Sequence, residues 1–446
     1  MKRLLSFIFI LFFSVKSYSQ NFSPYNSYPI SYGPASITSS DFNNDGVTDI
    51  ATTSQNEFSI LIGDGLGGFN PRVNFPVGLY NPSIFAIDYN KDGNIDLIVA
   101  SSGSFLFTFL GDGLGSFFHD TIITVEDSPS SISAADFNSD NNLDLVVSNF
   151  GSNSISVVFI DSSGNFLPPI NYSVGNSPSF VSAADFNNDG NIDVVVSNTY
   201  SNNISILNGN GLGNFSIPTN YVVGTEPKTI TINDFNGDGN LDLAVTNYIS
   251  ENITILLNNG MGFFNPAGNF YAGPSPWSIK SHDFNGDTYN DLVVTNADSN
   301  TVSILNGNGS GLFGLPTYFT VGGNPIELTL EDYNNDSKKD IAALVFSNNN
   351  VSLLLNQLAN NVSEVLLNNP INIYPNPTNN SITIDLKDSN IINSSFHLYD
   401  VFGKEVLINS ILINTTTIDV SMYPKGIYFY QITNKSKRYS GKLVVQ

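Results

Sequence analysis

Along most of the chain, short apolar runs alternate with polar turns rich in Gly, Asn and Ser. An alternating stretch such as Ser133-Ala134-Ala135 leads into an acidic block, and a β-rich run such as Leu143-Asp144-Leu145-Val146-Val147 follows it. A polar loop comes next, then a third run such as Ile204-Ser205-Ile206-Leu207. A Gly-rich turn, Asn208 to Phe215, leads to a fourth extended segment ending near Val223-Gly224. Period-two alternation bounded by Gly and Asn turns predicts strands. Four strands in just under fifty residues is the size of one propeller blade.

The unit repeats. The block Asp-(Phe/Tyr)-Asn-x-Asp-x-x-x-Asp begins at Asp41, Asp88, Asp136, Asp185, Asp234, Asp283 and Asp332, in steps of 47 to 49 residues. The prediction is an all-β chain with a seven-bladed β-propeller over residues 20–357. Residues 22–30 read as a fourth strand with no first three before it, and the last copy, Asn324 to Asn356, has three strands. The N-terminal segment is therefore expected to complete the seventh blade and remove an exposed sheet edge. An open solenoid is the alternative.

Between the first and second strands of a blade, loop positions 1, 3, 5 and 9 converge in a tight turn. They are Asp41, Asn43, Asp45 and Asp49 in the first copy and Asp88, Asn90, Asp92 and Asp96 in the second. The third has Asp136, Asn138, Asp140 and Asp144, and the fourth Asp185, Asn187, Asp189 and Asp193. The fifth has Asp234, Asn236, Asp238 and Asp242, and the sixth Asp283, Asn285, Asp287 and Asp291. The seventh has Asp332, Asn334, Asp336 and Asp340. Four oxygen side chains with a backbone carbonyl at position 7 make an oxygen-only shell suited to Ca2+, whereas zinc would want nitrogen or sulfur. The bland alternative is that Asp and Asn are turn formers here. Up to seven structural calcium ions are expected. Position 6 requires positive φ, which Gly46, Gly93, Gly190 and Gly239 accept, Asn141 tolerates, and Thr288 and Ser337 resist. Loop seven also carries Lys338 and Lys339, so loops six and seven are expected to bind most weakly.

These blocks, with the Leu-x-Gly-x-Gly-x-Gly-x-Phe type of turn that follows, resemble the FG-GAP/VCBS repeats of bacterial surface proteins. They are also similar to the calcium-loop blades of integrin α-subunits. The resemblance covers all seven copies and implies a propeller with calcium held by positions 1, 3, 5 and 9.

Charge narrows the partners. Residues 20–370 carry 34 acidic side chains and only six basic ones: Arg72, Lys91, Lys228, Lys280, Lys338 and Lys339. Such a surface repels nucleic acid and anionic membranes. There is no cysteine, so disulfides and thiolate chemistry are excluded. Residues 1–19 read as a signal peptide: basic Met1-Lys2-Arg3, an apolar Leu4–Val15 core, then Ser17 and Ser19 before the cut at Gln20. No later stretch is long enough for a transmembrane helix.

Residues 358–370 read as a linker, and residues 371–446 as a small β-sandwich. Its Ile373-Tyr374-Pro375-Asn376-Pro377, Leu398 to Lys404, Gly426 to Tyr430 and Gly441 to Val445 segments resemble, in order, the C-terminal sorting domain of the type IX secretion system. That implies contact with the secretion machinery and a secreted or cell-surface location.

Of the three histidines, His119, His282 and His397, none stands at a triad-like spacing. The expected function is non-enzymatic adhesion or recognition of an extracellular glycan or surface protein, by a monomer. A polysaccharide lyase or hydrolase is the alternative. Phe150, Tyr200 and Tyr248 read as equivalent positions of three successive blades, on the face away from the acidic loops, with Trp277 on a nearby connection. Exposed aromatics beside Asn and Ser suit stacking on sugar rings, and local packing is the plainer use for them.

Overall fold

The computed structural model describes residues 22–77, 83–357, 371–386, 394–400, 404–434 and 437–446. The expected signal peptide and linker lie outside the described residues, as do Val401, Phe402 and Gly403 of the third tail motif. The chain divides into two compact units on either side of Leu358.

In the first unit, seven four-stranded antiparallel sheets follow one another, and no α-helix occurs among the described residues. Blade four is typical, with Pro178–Ala184 innermost, then Asp193–Asn198, Asn203–Leu207 and Thr219–Val222 at the outer edge. Its second strand is buried at every residue, while its outer strand is mostly exposed. Neighbouring sheets cover both faces of the second strand, so its sequence runs continuously apolar after the Asp instead of alternating. The core accordingly lies between blades. Val195, Ile204 and Ile206 of blade four pack with Ile230, Leu243, Val245 and Leu256 of blade five. Each such buried aliphatic side chain contributes about 1.5–3 kcal/mol.

The ring joins end to end. Asn26–Pro29 pairs antiparallel with Asn350–Leu354 and is the outer strand of the seventh sheet, as the incomplete first and last repeats predict. The inner strands of blades one and seven, Ser36–Ser40 and Pro325–Glu331, contact each other. The Ile37 N–H donates to the Glu327 carboxylate (2.8 Å), and Ser39 bonds Thr329 (2.7 Å). Ile37 and Ile50 share a cluster with Tyr333 and Leu344, which an open solenoid would leave exposed.

Inner strands of five blades begin with proline: Pro129, Pro178, Pro227, Pro276 and Pro325. Proline suits a first strand position, where its missing N–H costs no ladder bond. Each is followed at once by a register shift against the second strand. A bulge of this kind re-aims the side chain after it. The residue before each of these prolines is left-handed, from Ser128 (φ 57°) to Asn324 (φ 59°). Its carbonyl accepts the N–H of the residue just past the second strand, as in Tyr248 to Glu226 (2.9 Å).

The second unit has a three-stranded sheet (Ile371–Tyr374, Ser381–Leu386, Thr415–Asp419) and a four-stranded one (Glu405–Ile411, Ser394–Tyr399, Gly426–Asn434, Lys437–Val445). Ile382, Ile384, Phe396, Leu398, Ile418 and Leu443 from both sheets share one core, as a small sandwich requires.

Candidate functional site

All seven acidic blocks connect an inner strand to a second strand, where the sequence places them. In loop one the Asp41 carboxylate accepts the N–H groups of Asp45 (3.1 Å) and Gly46 (2.8 Å). Asn43 Oδ1 also accepts from Asp45 N–H (3.1 Å), and Asp45 Oδ1 accepts from Val47 N–H (2.8 Å). Oxygens of positions 1 and 3 thus meet at one backbone N–H. The same pattern recurs in loops two to seven, for example at Asp189 with Asp185 and Asn187. Two carboxylates and an amide per loop form a convergent, oxygen-bearing set whose chemistry fits a hard divalent cation.

Position 9 does something more. Asp193 is fully buried at the start of the second strand; its Oδ2 accepts Phe186 N–H (3.0 Å) and its Oδ1 accepts Gly209 N–H (2.8 Å). It ties the acidic loop to the chain leaving the third strand, and equivalent pairs occur at Asp49, Asp96, Asp144, Asp242, Asp291 and Asp340. Burial pushes these carboxyls up to about 6, and Asp291 to about 7. The backbone N–H bonds oppose that rise, and the loop's other carboxylates add to it. With position 3 an amide and position 9 turned to the backbone, no group of three carboxylates or imidazoles is gathered at one point among the described residues.

Position 6 is left-handed in every loop, including Thr288 (φ 77°) and Ser337 (φ 67°). Position 4 is left-handed too, from Asn44 to Asn335, which sequence reasoning missed although Gly237 and Gly286 hint at it. Neighbouring blades lock the loops. The Gly-rich turn of blade two donates Gly115 N–H to Phe42 carbonyl (3.1 Å), and Gly213 and Gly311 do the same to Phe137 and Phe235. Two loops hold lysines. Lys91 reaches Asn141 carbonyl (2.9 Å) and Asn142 Oδ1 (2.6 Å) of the next loop, and Lys338 lies 3.2 Å from Asp336.

At the opposite end of the strands, a cavity of about 510 Å³ opens on the channel between the inner strands, with residues from all seven blades on its wall. The residues just after the inner-strand prolines, Ser130, Ser179, Lys228, Trp277 and Ile326, all line it. Trp277 therefore sits within an inner strand, Pro276–His282, and not on a connection. Phe150 lines the cavity as well.

The four predicted aromatics fall into two edge-to-face pairs, Phe150 with Tyr200 (5.9 Å) and Tyr248 with Trp277 (5.4 Å). Tyr200 is not the counterpart of Phe150 and Tyr248. Thr199 N–H makes the equivalent turn bond to Ser177, and Tyr200 follows it in a short 3-10 turn, 61% exposed. The steps between these three blades are both 49 residues, and it is Thr199, not Tyr200, that stands 49 residues from Phe150 and from Tyr248. Tyr248 and Trp277 also hold Lys228, whose Nζ is 5.2 Å from each ring centroid and 3.4 Å from Glu226. Sequence reasoning missed Lys228 and Glu327; the signal was the variable pair that follows each inner-strand proline.

His282 ends an inner strand, Pro276–His282. His397, in contrast, bonds Ser395 Oγ through Nε2 (2.8 Å) and Glu405 through Nδ1, a Ser-His-Glu line that its sequence spacing did not suggest. Ser395 lies on a strand paired on both sides, which commits the backbone N–H groups around it to ladders and away from an oxyanion. Its Oγ also bonds Thr433 (2.7 Å).

Comparison with known proteins agrees with this architecture. The FG-GAP-like repeat profile matches six overlapping segments, 41–99, 88–147, 136–196, 185–245, 234–288 and 283–343, and the secretion system C-terminal sorting domain matches 372–446. No curated protein sequence matches the chain. Among solved structures, a candidate 6-phosphogluconolactonase from Bacteroides uniformis is similar at 15% identity and a TM-score of 0.52, over 69% of this chain and 94% of that one. The periplasmic gluconolactonase PpgL of Pseudomonas aeruginosa is similar at 13% identity and a TM-score of 0.50, over 65% and 86%. At such identities the likeness concerns the fold alone. No helix among the described residues is long and apolar enough to cross a membrane. The chain belongs to the FG-GAP-like repeat family, as a surface β-propeller joined to a type IX sorting domain that directs it to the cell surface or the extracellular space.

Proposed function

We propose that this protein is a non-enzymatic recognition module, with calcium held structurally in the acidic loops and an extracellular glycan or surface protein bound at the channel mouth. One contrast carries the reading. The repeat keeps the same residue types at positions 1, 3, 5 and 9 of all seven loops, yet varies the side chain after each inner-strand proline from Ser to Lys to Trp to Ile. A constant face suits a structural ion, and a varied concave face suits a ligand.

At a Kd of about 0.1 mM and free calcium of about 2 mM, each occupied loop adds roughly 1.8 kcal/mol. Thermal unfolding with calcium and with chelator, beside a count of bound metal, tests the first half. A large fall in melting temperature on chelation, with about seven ions per chain, supports it; no shift and no metal overturns it. Glycan and surface-protein screening of the calcium-loaded chain tests the second half. Cleavage of a polysaccharide in that screen would replace recognition by catalysis.

A further inference from the structure

The channel mouth is chemically lopsided, and the lopsidedness points to a ligand class. Blades one to four offer it mainly small hydroxyl side chains, among them Ser36, Ser83, Ser131 and Ser179. Blades five, six and seven offer, in that order, Lys228, Trp277 and Glu327. Only six cations exist in residues 20–370, and two of them, Lys228 and Lys280, stand on the inner strands. In a unit this acidic, placing a cation at the mouth makes the mouth a concave surface where a carboxylate is welcome.

Lys228 is fixed for that task. Its side chain is 15% exposed, it is held against the rings of Tyr248 and Trp277, and Glu226 sits 3.4 Å from its Nζ. A preordered ammonium forfeits little conformational entropy on binding. Glu327 accepts from Ile37 N–H and is also hydrogen-bonded by the Ser36 side chain, and it stands on the cavity wall, where ligand hydroxyls can donate to its remaining lone pairs. Burial raises its pKa, and the bonds from Ile37 N–H and Ser36, with the Lys280 charge, work against the rise. Trp277, Phe150 and Phe346 add apolar wall.

Resting on the recognition reading above, we infer that the channel mouth binds a hydroxyl-rich sugar ring carrying a carboxylate, with Lys228 as the group that selects the acid. The carboxylate meets the Lys228 ammonium, the hydroxyls meet Glu327 and the serines, and the ring's C–H face lies on the aromatic wall.

The experiment is calorimetric titration of the calcium-loaded full chain with glucuronosyl-glucose and with cellobiose, which differ by the carboxylate. The acid is expected to bind on the order of tenfold tighter, as one charge-assisted hydrogen bond allows. Lys228→Met should abolish that preference and Lys228→Arg should retain it. The Lys228 backbone carbonyl bonds Ser179 and Ser197, so the side-chain change leaves the inter-blade bonds in place; an unchanged melting temperature checks this. Equal binding of the two sugars, or an acid preference that survives Lys228→Met, overturns the inference and leaves glycan recognition standing. Absence of binding by either sugar, with the glycan and surface-protein screens also blank, removes both.

Discussion

The Lys338 ammonium lies 3.2 Å from the Asp336 carboxylate, inside the seventh acidic loop and within the set of oxygens that a calcium ion would share. A tethered cation partly neutralises the loop and competes for one of its ligands. Such a partly exposed pair is worth about 0.5–1 kcal/mol. Lys338→Asn should therefore tighten calcium binding at loop seven roughly two- to fivefold, measured by titration of single-loop variants. Unchanged affinity would mean that the lysine yields to the metal at no cost.

Stability without metal should rise on acidification. The buried position-9 carboxyls titrate at about 6 in the folded chain, and Asp291 at about 7, against roughly 3.9 when unfolded. Their folded-state pKa is raised, so their contribution is fully present below the unfolded pKa and is lost as pH rises through about 6 to 7. In chelator, the melting temperature is expected to climb between about pH 7.5 and pH 5. With saturating calcium, which favours the ionised form, the climb should vanish or reverse. A melting temperature in chelator that falls on acidification contradicts the assignment.

Asp193→Ala should destabilise the chain even in chelator, because Phe186 N–H and Gly209 N–H lose their acceptor in the interior. Two stranded donors cost about 2–5 kcal/mol. Asp189→Ala, at an exposed loop position, should cost far less in chelator and show its effect only when calcium is added. Denaturant titration of both variants in both conditions separates a backbone role from a metal role.

Thr288 carries a β-branched side chain at φ 77°. Thr288→Gly relieves that strain and should raise stability by about 1 kcal/mol, less the entropy that glycine adds to the unfolded chain. Loop six should also take up calcium at lower concentration. A lower melting temperature would show that the Thr288 side chain contributes packing that outweighs its strain.

Period and alternation made the seven blades and their closing strand legible, because each blade repeats one hydrophobic pattern and the partial first and last units complement each other. Loop positions 6 and 9 were legible as special, yet the double backbone bond to Asp193 was not, since Gly209 arrives from a different loop. Positive φ at Lys91 and Ser139 has no signature in residue type. The Lys228 contact with Tyr248 and Trp277 joins two adjacent blades, and only the stacking of blade six on blade five brings them together. His397, Ser395 and Glu405 meet because two strands of the tail pair, a register that spacing alone does not reveal.

The strand Asn26–Pro29 finds its partner at Asn350–Leu354, and Leu355 N–H bonds Ser23 Oγ across 332 residues of sequence. Six sheets can form from local hairpins as the chain emerges, but the seventh must wait for the far end to return. Assembly therefore has a slow last step whose rate reflects loop closure over the whole ring. Until it occurs the third strand of the seventh sheet presents a bare edge, and a second copy donating its own first strand would fill it equally well. The fold thereby contains a concentration-dependent route to swapped dimers, taken in proportion to how crowded the chains are while they fold.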